Sequence, residues 1–304
     1  MLIFLWGLPA DSPLSAVYDE LRLMGADVRL LDQRGVLETR VCLSVGPQVR
    51  GQVEARGESF RLEDVAAVYW RSYDASTLPH VIRGGEVARR HAAEIDELLT
   101  HWISSTPAFV VSRIDAMAVN NSKPLQLRWI EQFGWRIPHT LITTDPGVAR
   151  EFWERHRSVI YKSVSSIRSR VSKLSRDHRE RFDAITSCPT QFQEFIPGTD
   201  HRVHVVGAEV FACEVASAAD DYRYPGDYDV QYRACTIPRE IEDRCRLMSA
   251  GMQLPVAGID LRRTPEGEWV CFEVNPSPGF TAYEEMAGHP IANAIARLLT
   301  RPPD

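Results

Sequence analysis

Gly258-Ile259-Asp260-Leu261, a turn over Thr264–Gly267, and then Cys271-Phe272-Glu273-Val274-Asn275-Pro276-Ser277-Pro278-Gly279 form the stretch that decides the fold. Val256–Arg262 and Glu268–Val274 flank a short polar turn, which predicts a β-hairpin. Side chains two apart on a strand leave the same face, so Glu273 and Asn275 share one. Asp260 sits on the neighbouring strand. One face can then present two carboxylates and a carboxamide oxygen, with no basic residue between Glu268 and Gly288. Hard oxygen donors of this kind suit magnesium, which keeps some waters and completes its shell with substrate phosphates. The bland alternative is an exposed polar strand face. The apolar neighbours Val256, Ile259, Trp269, Val270, Phe272 and Val274 argue for strands packed on at least one side. Carboxylates aimed into such packing without a cation would be costly. The Pro-Ser-Pro-Gly turn is rigid and able to bring backbone amides near a phosphate.

Working outward, Ser122–Phe133 reads as a helix closed by Gly134, and Thr140–Thr143 as a strand. Asp145-Pro146 caps a helix that runs to His156. Val159–Val164 and Gln191–Ile196 read as strands. Val203–Val206 and Glu209–Ala216 predict a hairpin turning at Gly207-Ala208. Glu240–Met252 and Ile291–Leu299 are helices. Adjacent strands joined by tight turns predict antiparallel sheets in an α+β arrangement. The first third differs. Leu2–Trp6, Val28–Leu31, Val65–Arg71 and Ala108–Ser112 are apolar runs separated by helical segments. One helix starts at Asp11-Ser12-Pro13 and ends at Gly25; the other spans Glu86–Trp102, with Val87, Ile95, Leu98, Leu99 and Trp102 on or near one face. That alternation predicts a small parallel α/β domain over residues 1–115.

A chain of 304 residues suggests roughly two domains at about 150 residues each. Net charge is 35 − 41 = −6. A protein built to wrap nucleic acid would usually be basic, so no nucleic-acid partner is expected. The scattered cysteines Cys42, Cys188, Cys213, Cys235, Cys245 and Cys271 form no CxxC, so neither a zinc site nor a redox pair is indicated. The apolar start lacks a basic leading region, and no run reaches the ~18 apolar residues of a membrane span. A cytoplasmic protein with no membrane partner is expected. Only three lysines (Lys123, Lys162, Lys173) stand among the 35 basic residues. A position that keeps lysine against that background points to a need for a compact ammonium.

Asp260 on one strand, then Glu273-x-Asn275 and a closing Pro-Gly, resembles the metal-binding end of the ATP-grasp enzymes. The pattern is most similar to the ribosomal-protein glutamate ligases and to the peptide ligases that cyclise microviridin-type precursors. The resemblance covers about residues 115–300 and extends weakly to Val68-Tyr69-Trp70-Arg71, similar to a strand of the microviridin-type enzymes. It implies an α/β N-terminal domain (1–115) followed by an α+β ATP-grasp fold, with a central lobe (116–196) and a C-terminal lobe (197–304) gripping ATP. Asn121-Ser122-Lys123 through Gly134 to Pro138-His139-Thr140 is similar to the family's Lys-x-x-x-Leu…Gly-x-x-x-Pro-x-Thr stretch, which implies Lys123 as a phosphate ligand. Independently, a lysine at a helix start is disfavoured by the helix dipole unless an anion is nearby. The resemblance also implies Lys162, which interrupts the apolar run Val159-Ile160-Tyr161, as a phosphate ligand. Ser163–Arg170 departs from the family, because the usual flap glycines are missing. Hydroxyls with Arg168 or Arg170 are left to cover a triphosphate.

Gln193-Glu194-Phe195-Ile196-Pro197-Gly198 resembles the family's lobe-connecting segment, which implies that Glu194, Phe195 and Ile196 contact adenine, partly through backbone groups, with Gln193 beside them in the nucleotide site. Asp200 would accept from the ribose hydroxyls; a plain surface pair between Asp200 and Arg202 is the alternative. Arg202 and Arg223 would face the transferring phosphoryl group, whose charge spreads over oxygens that a guanidinium fork matches. Asp260, Glu273 and Asn275 would hold two magnesium ions. His201 and His204, without a third ligand, read as structural. The implied activity is ATP-dependent joining of a carboxylate to an amine or hydroxyl through an acyl phosphate, acting on a ribosomally made peptide. Competing readings are a glutamate or small-molecule amino-acid ligase and a pseudoenzyme that binds ATP and peptide without turnover. The intact Asp/Glu/Asn set argues against the last. The N-terminal domain is free to hold a leader peptide or to shape the acceptor site. A homodimer is a common assembly for such soluble enzymes.

Overall fold

In the computed structural model, residues 1–47, 49–164, 171–217 and 229–302 are described. The first four apolar runs form one parallel sheet in the order 27–32, 2–7, 65–71, 109–111. Parallel strands connected by helices are covered on both faces, so the interior strands are largely apolar, while the edge strand 27–32 exposes Asp27 and Arg29. Leu2–Gly7, in the interior of the sheet, is buried at all positions. Phe4, Trp6 and Val68 meet Leu99, Trp102 and Ile103 of the helix Gly85–Ser105 on one face. Val87 is exposed instead of joining that stripe, which begins at Ala92. Ile3, Leu5, Ala67 and Tyr69 meet the helix Ser12–Leu23 on the other face. Asp11 caps this helix by accepting from the Leu14 amide at 3.0 Å, with Pro13 in the first turn.

A three-stranded antiparallel sheet, 40–45, 49–55 and 58–61, is inserted after the second parallel strand. The sequence reading assigned no strand there. The turn at Arg56-Gly57 has positive φ at both residues, 50° and 78°. That is the hairpin geometry usually announced by Asn-Gly, and arginine hides it.

Thr140–Thr143, Val159–Ser163, Ser172–Lys173 and Thr190–Glu194 form a second, antiparallel sheet. One face is covered by the helix Pro146–His156 and the 3₁₀ segment Arg176–Ser187, through Ala149, Phe152, Val159, Phe182 and Phe192. The third sheet is antiparallel throughout, in the order 230–235, 209–217, 199–206, 256–263, 269–275. The helices Lys123–Gln132 and Arg239–Gly251 cover one face, placing Leu127, Ile130, Ile241, Cys245 and Met248 on Val203, Val205, Ile259 and Leu261.

The last helix, Ile291–Thr300, returns to the beginning of the chain. Ile291, Ile295 and Leu299 pack with Leu14, Val17 and Leu21, and Asn293 donates to Glu20 at 2.6 Å. Val206 and Val256 of the third sheet join the same core. Residues 1–115 thus carry their own sheets but share a core with the C-terminus. Among the described residues no helix is long and apolar enough to cross a membrane.

Candidate active site

Strand register builds the site. Asp260 lies opposite Arg202 on one side and opposite Glu273 on the other, and Asn275 lies opposite Gly258. All of these side chains leave the sheet face away from Leu127 and Met248, because Ile259, Leu261 and Val274 take the apolar face. The register slips between Asp260 and Leu261. This bulge lets Phe272 and Glu273 share a face: Phe272 lies 5.3 Å from the Arg262 guanidinium.

Two cations already sit on the two carboxylates. Lys123 Nζ donates to Glu273 at 2.6 Å, and Arg202 Nη1 donates to Asp260 at 2.6 Å. Lys123 is the first residue of its helix, after the Ser122 cap, so Glu273 supplies the anion that its position calls for. Gln126, buried on the same helix, donates to the Val274 carbonyl at 2.8 Å and fixes the helix to the strand carrying Glu273. Asn275 Oδ1 accepts from the Ser277 amide at 2.9 Å, which fixes the start of the Pro-Ser-Pro-Gly turn. Arg71, from the parallel sheet, donates to Ser277 Oγ at 2.8 Å and to the Pro278 carbonyl at 3.2 Å while paired with Asp11 at 2.6 Å. Arg202 is buried, and its guanidinium lies across Gly258. A Cβ at position 258 would fall 2.6 Å from Arg202 Cζ and 2.7 Å from Pro278 Cβ. Next to Arg202, His204 is fully buried. Burial and the neighbouring guanidinium hold its pKa well below the usual imidazole value, so it is neutral. His201 points to the opposite face, onto Trp269, so the two histidines cannot share an ion.

Two residues further along the same strands, about 7 Å away, Asp200 faces Arg262. The guanidinium forks onto the carboxylate at 2.7 and 2.9 Å and also donates to the Ile196 carbonyl at 2.7 Å. The partner of Asp200 is therefore Arg262 and not Arg202. Arg262 also lies 5.7 Å from the Phe195 ring. Sequence reasoning missed this residue, although its place two after Asp260 on a strand put it on the site face. Lys162 and Gln193 come from the second sheet, on the face opposite Phe192 and Val159 and so opposite the covering helix. Glu194, next to Gln193, points to the helix-covered face, 3.5 Å from His156. Only its backbone is left for the adenine contact that the sequence implies. Arg223, and Arg168 and Arg170 of the expected flap, lie outside the described residues.

The donor set fits a hard divalent cation. Two carboxylates and a carboxamide oxygen stand at facing positions on adjacent strands, and each carboxylate now carries a cationic side chain.

Residues 120–299 match the family described as the RimK-like ATP-grasp domain. No curated protein matches the chain. Among solved structures, the macrocyclase MdnC of Microcystis aeruginosa MRC, bound with its precursor peptide MdnA, is 25% identical. It superposes with a TM-score of 0.85 over 99% of each chain. The ATP-grasp ligase PsnB, complexed with a minimal precursor, magnesium and ADP, is 25% identical, with a TM-score of 0.78 over 98% of this chain and 97% of its own. A Chryseobacterium gregarium RiPP-associated ATP-grasp ligase shares the fold at 23% identity, with a TM-score of 0.84 over 100% of this chain and 97% of its own.

Proposed function

This chain belongs to the RimK-like ATP-grasp family, and from that premise we propose that it is an ATP-dependent ligase that forms an amide or ester within a ribosomally made peptide. The observation that carries the proposal is the facing arrangement of Asp260, Glu273 and Asn275, with Lys123 and Arg202 seated on the carboxylates. The peptide assignment draws on the neighbours crystallised with precursor peptides, whose likeness runs through the N-terminal domain as well.

In this reading a peptide carboxylate attacks the γ-phosphorus of ATP and ADP leaves. The amine or hydroxyl then attacks the acyl carbon and expels phosphate. Asp260, Glu273 and Asn275 would hold magnesium, which when bound neutralises and orients the phosphates. Lys123 and Arg202 exchange their carboxylate partners for phosphate oxygens. Arg202, with its planar fork, suits the charge that spreads over the transferring group. Gln126 and Arg71 hold the strand and turn that carry these ligands. Lys162 lies on the nucleotide side of the second sheet, and the backbone of Glu194 and Ile196, with Phe195, forms the adenine edge. Asp200, oriented by Arg262, accepts from the ribose. Catalysis is placement and electrostatics, so no side-chain nucleophile is required.

The test incubates the protein with ATP, magnesium and a candidate precursor peptide, reading ADP release and peptide mass. Peptide-dependent ADP release with loss of one water per linkage is expected, and both disappear in Glu273→Ala. ADP release that survives in a folded Glu273→Ala protein, or none with any carboxylate donor, would overturn the proposal.

A further inference from the structure

His139, His156 and Glu194 come together away from the Asp260–Glu273–Asn275 face. Their donor atoms all lie within 4.8 Å of one another, with His156 Nδ1 3.5 Å and His139 Nδ1 4.0 Å from Glu194 Oε2. They are the only such trio of ligand-type side chains among the described residues. Each comes from a different segment. His139 precedes the strand Thr140–Thr143, His156 ends the helix Pro146–His156, and Glu194 ends the strand Thr190–Glu194. Backbone bonds hold the three segments together: the Glu194 amide donates to the His139 carbonyl at 3.0 Å, and the Phe195 amide donates to the Ser158 carbonyl at 2.9 Å. The Phe152 ring, 4.4 Å away, packs against the His156 ring. His156 and Glu194 are largely buried, while the His139 side chain is 73% exposed, so the trio opens to solvent on one side.

We propose that these residues bind one divalent transition-metal ion of the zinc, cobalt or nickel kind, completed by water on the open side. Two imidazoles and one carboxylate are the donor set such ions prefer, whereas magnesium prefers oxygen. Tetrahedral ligation at about 2.0 Å places donors roughly 3.3 Å apart. The present spacing closes to that value by rotation of the exposed His139 ring. The Arg136 guanidinium, 3.8 Å from Glu194 Oε1, is the competing cation and stays on the outer oxygen. The chain enters the second sheet through residues 136–139 and leaves it through 195–198 into the third. An ion here therefore clips the two crossings between the lobes, and acts on their closure instead of on the phosphates.

The test titrates the full-length protein with cobalt in excess magnesium and reads visible ligand-field absorption. One equivalent with the intense bands of a four-coordinate nitrogen site is expected, displaced by zinc. Zinc should also raise the melting temperature in proportion to ln(1 + [Zn]/Kd). The bands vanish in His156→Ala and in His139→Ala, whose exposed side chain carries little packing, and persist in Glu273→Ala. An absent spectrum, bands that survive both histidine variants, or bands lost in Glu273→Ala would overturn the proposal. The last result would assign the ion to the phosphate-side carboxylates. None of these readouts depends on ligase activity.

Discussion

The two large sheets handle charge in opposite ways. In the parallel sheet, the interior strand Leu2–Gly7 is buried along its whole length, with an apolar core on each face. Charged side chains sit at the strand ends, as with Asp32 and Arg71, or at exposed positions of the edge strand, as with Asp27 and Arg29. In the five-stranded antiparallel sheet, one face is as apolar as any core, while the other carries Asp200, Arg202, Asp260, Arg262 and Glu273 in mid-strand. The cause is connectivity. Parallel strands need crossovers, which cover both faces; hairpins leave one face open. A parallel sheet can offer chemistry at its strand ends, and an antiparallel one can offer part of a face; the far end of this face, at Val206 and Val256, is covered by the last helix. Here the two meet, because Arg71 at the end of a parallel strand grips the turn that follows Asn275.

Paired substitutions give the strongest test of that contrast. Leu5→Ala in the parallel sheet removes a fully buried side chain and should cost about 2–5 kcal/mol of stability, with turnover per folded molecule unchanged. Asp260→Asn on the open face keeps an acceptor for Arg202. It should lower ADP release by on the order of 10²–10³ while moving the denaturation midpoint far less than Leu5→Ala. Urea melts and initial rates on both variants decide it. If Asp260→Asn unfolds the protein as readily as Leu5→Ala, the polar face is structural and the contrast fails.

Gly258→Ala probes how closely the open face is fitted. A methyl group there collides with the Arg202 guanidinium and with Pro278, so the arginine must leave its place over Asp260. A tenfold or greater drop in turnover is expected, roughly 1.4 kcal/mol or more in the barrier. The KM for ATP should change less than kcat if Arg202 acts mainly on the transferring group. An unchanged kcat would show that Arg202 does not need its present position.

Much of this was legible in the sequence, for identifiable reasons. The period-two pattern of Asp260, Glu273 and Asn275 against Ile259 and Val274 fixes a face once the hairpin is read. The apolar run at Leu2–Trp6 announces a strand buried on both sides. Lys123 at a helix start announced an anion, and Glu273 fills that place. What stayed hidden depends on contacts between distant segments. The Asp200–Arg262 fork spans 62 residues, and the Arg71–Ser277 bond spans 206. The sheet over residues 40–61 was missed although Val41, Leu43, Val49, Val53 and Ala55 alternate with polar residues; Gly51 interrupts the middle strand and arginine occupies a left-handed turn position where Asn or Gly would announce a hairpin. Glu194 was grouped with Gln193, although neighbours on a strand face opposite ways.

The smallest expected effect concerns a charge that the parallel sheet tolerates beyond its strand ends. Asp96, on the helix Gly85–Ser105, accepts from the Ala75 amide at 2.8 Å and from Gln33 Nε2 at 3.2 Å, while Gln33 Oε1 accepts from the Tyr73 amide at 2.9 Å. These bonds tie together the loops that follow two parallel strands. Burial outweighs the bonds and pushes the Asp96 carboxyl from 3.8 up to about 6. The fold thus favours the protonated form over the ionised one. The resulting stability is complete below the unfolded-chain value and is lost as pH rises through about 6. Between pH 5 and pH 7 the urea midpoint of the wild type should fall further than that of Asp96→Asn, which cannot ionise. Other groups titrate in both proteins and cancel in the comparison. Equal pH dependence in the two would show that the carboxylate at this strand end is as well solvated as a surface charge. Charge would then be as cheap beside the parallel sheet as it is on the open face of the antiparallel one.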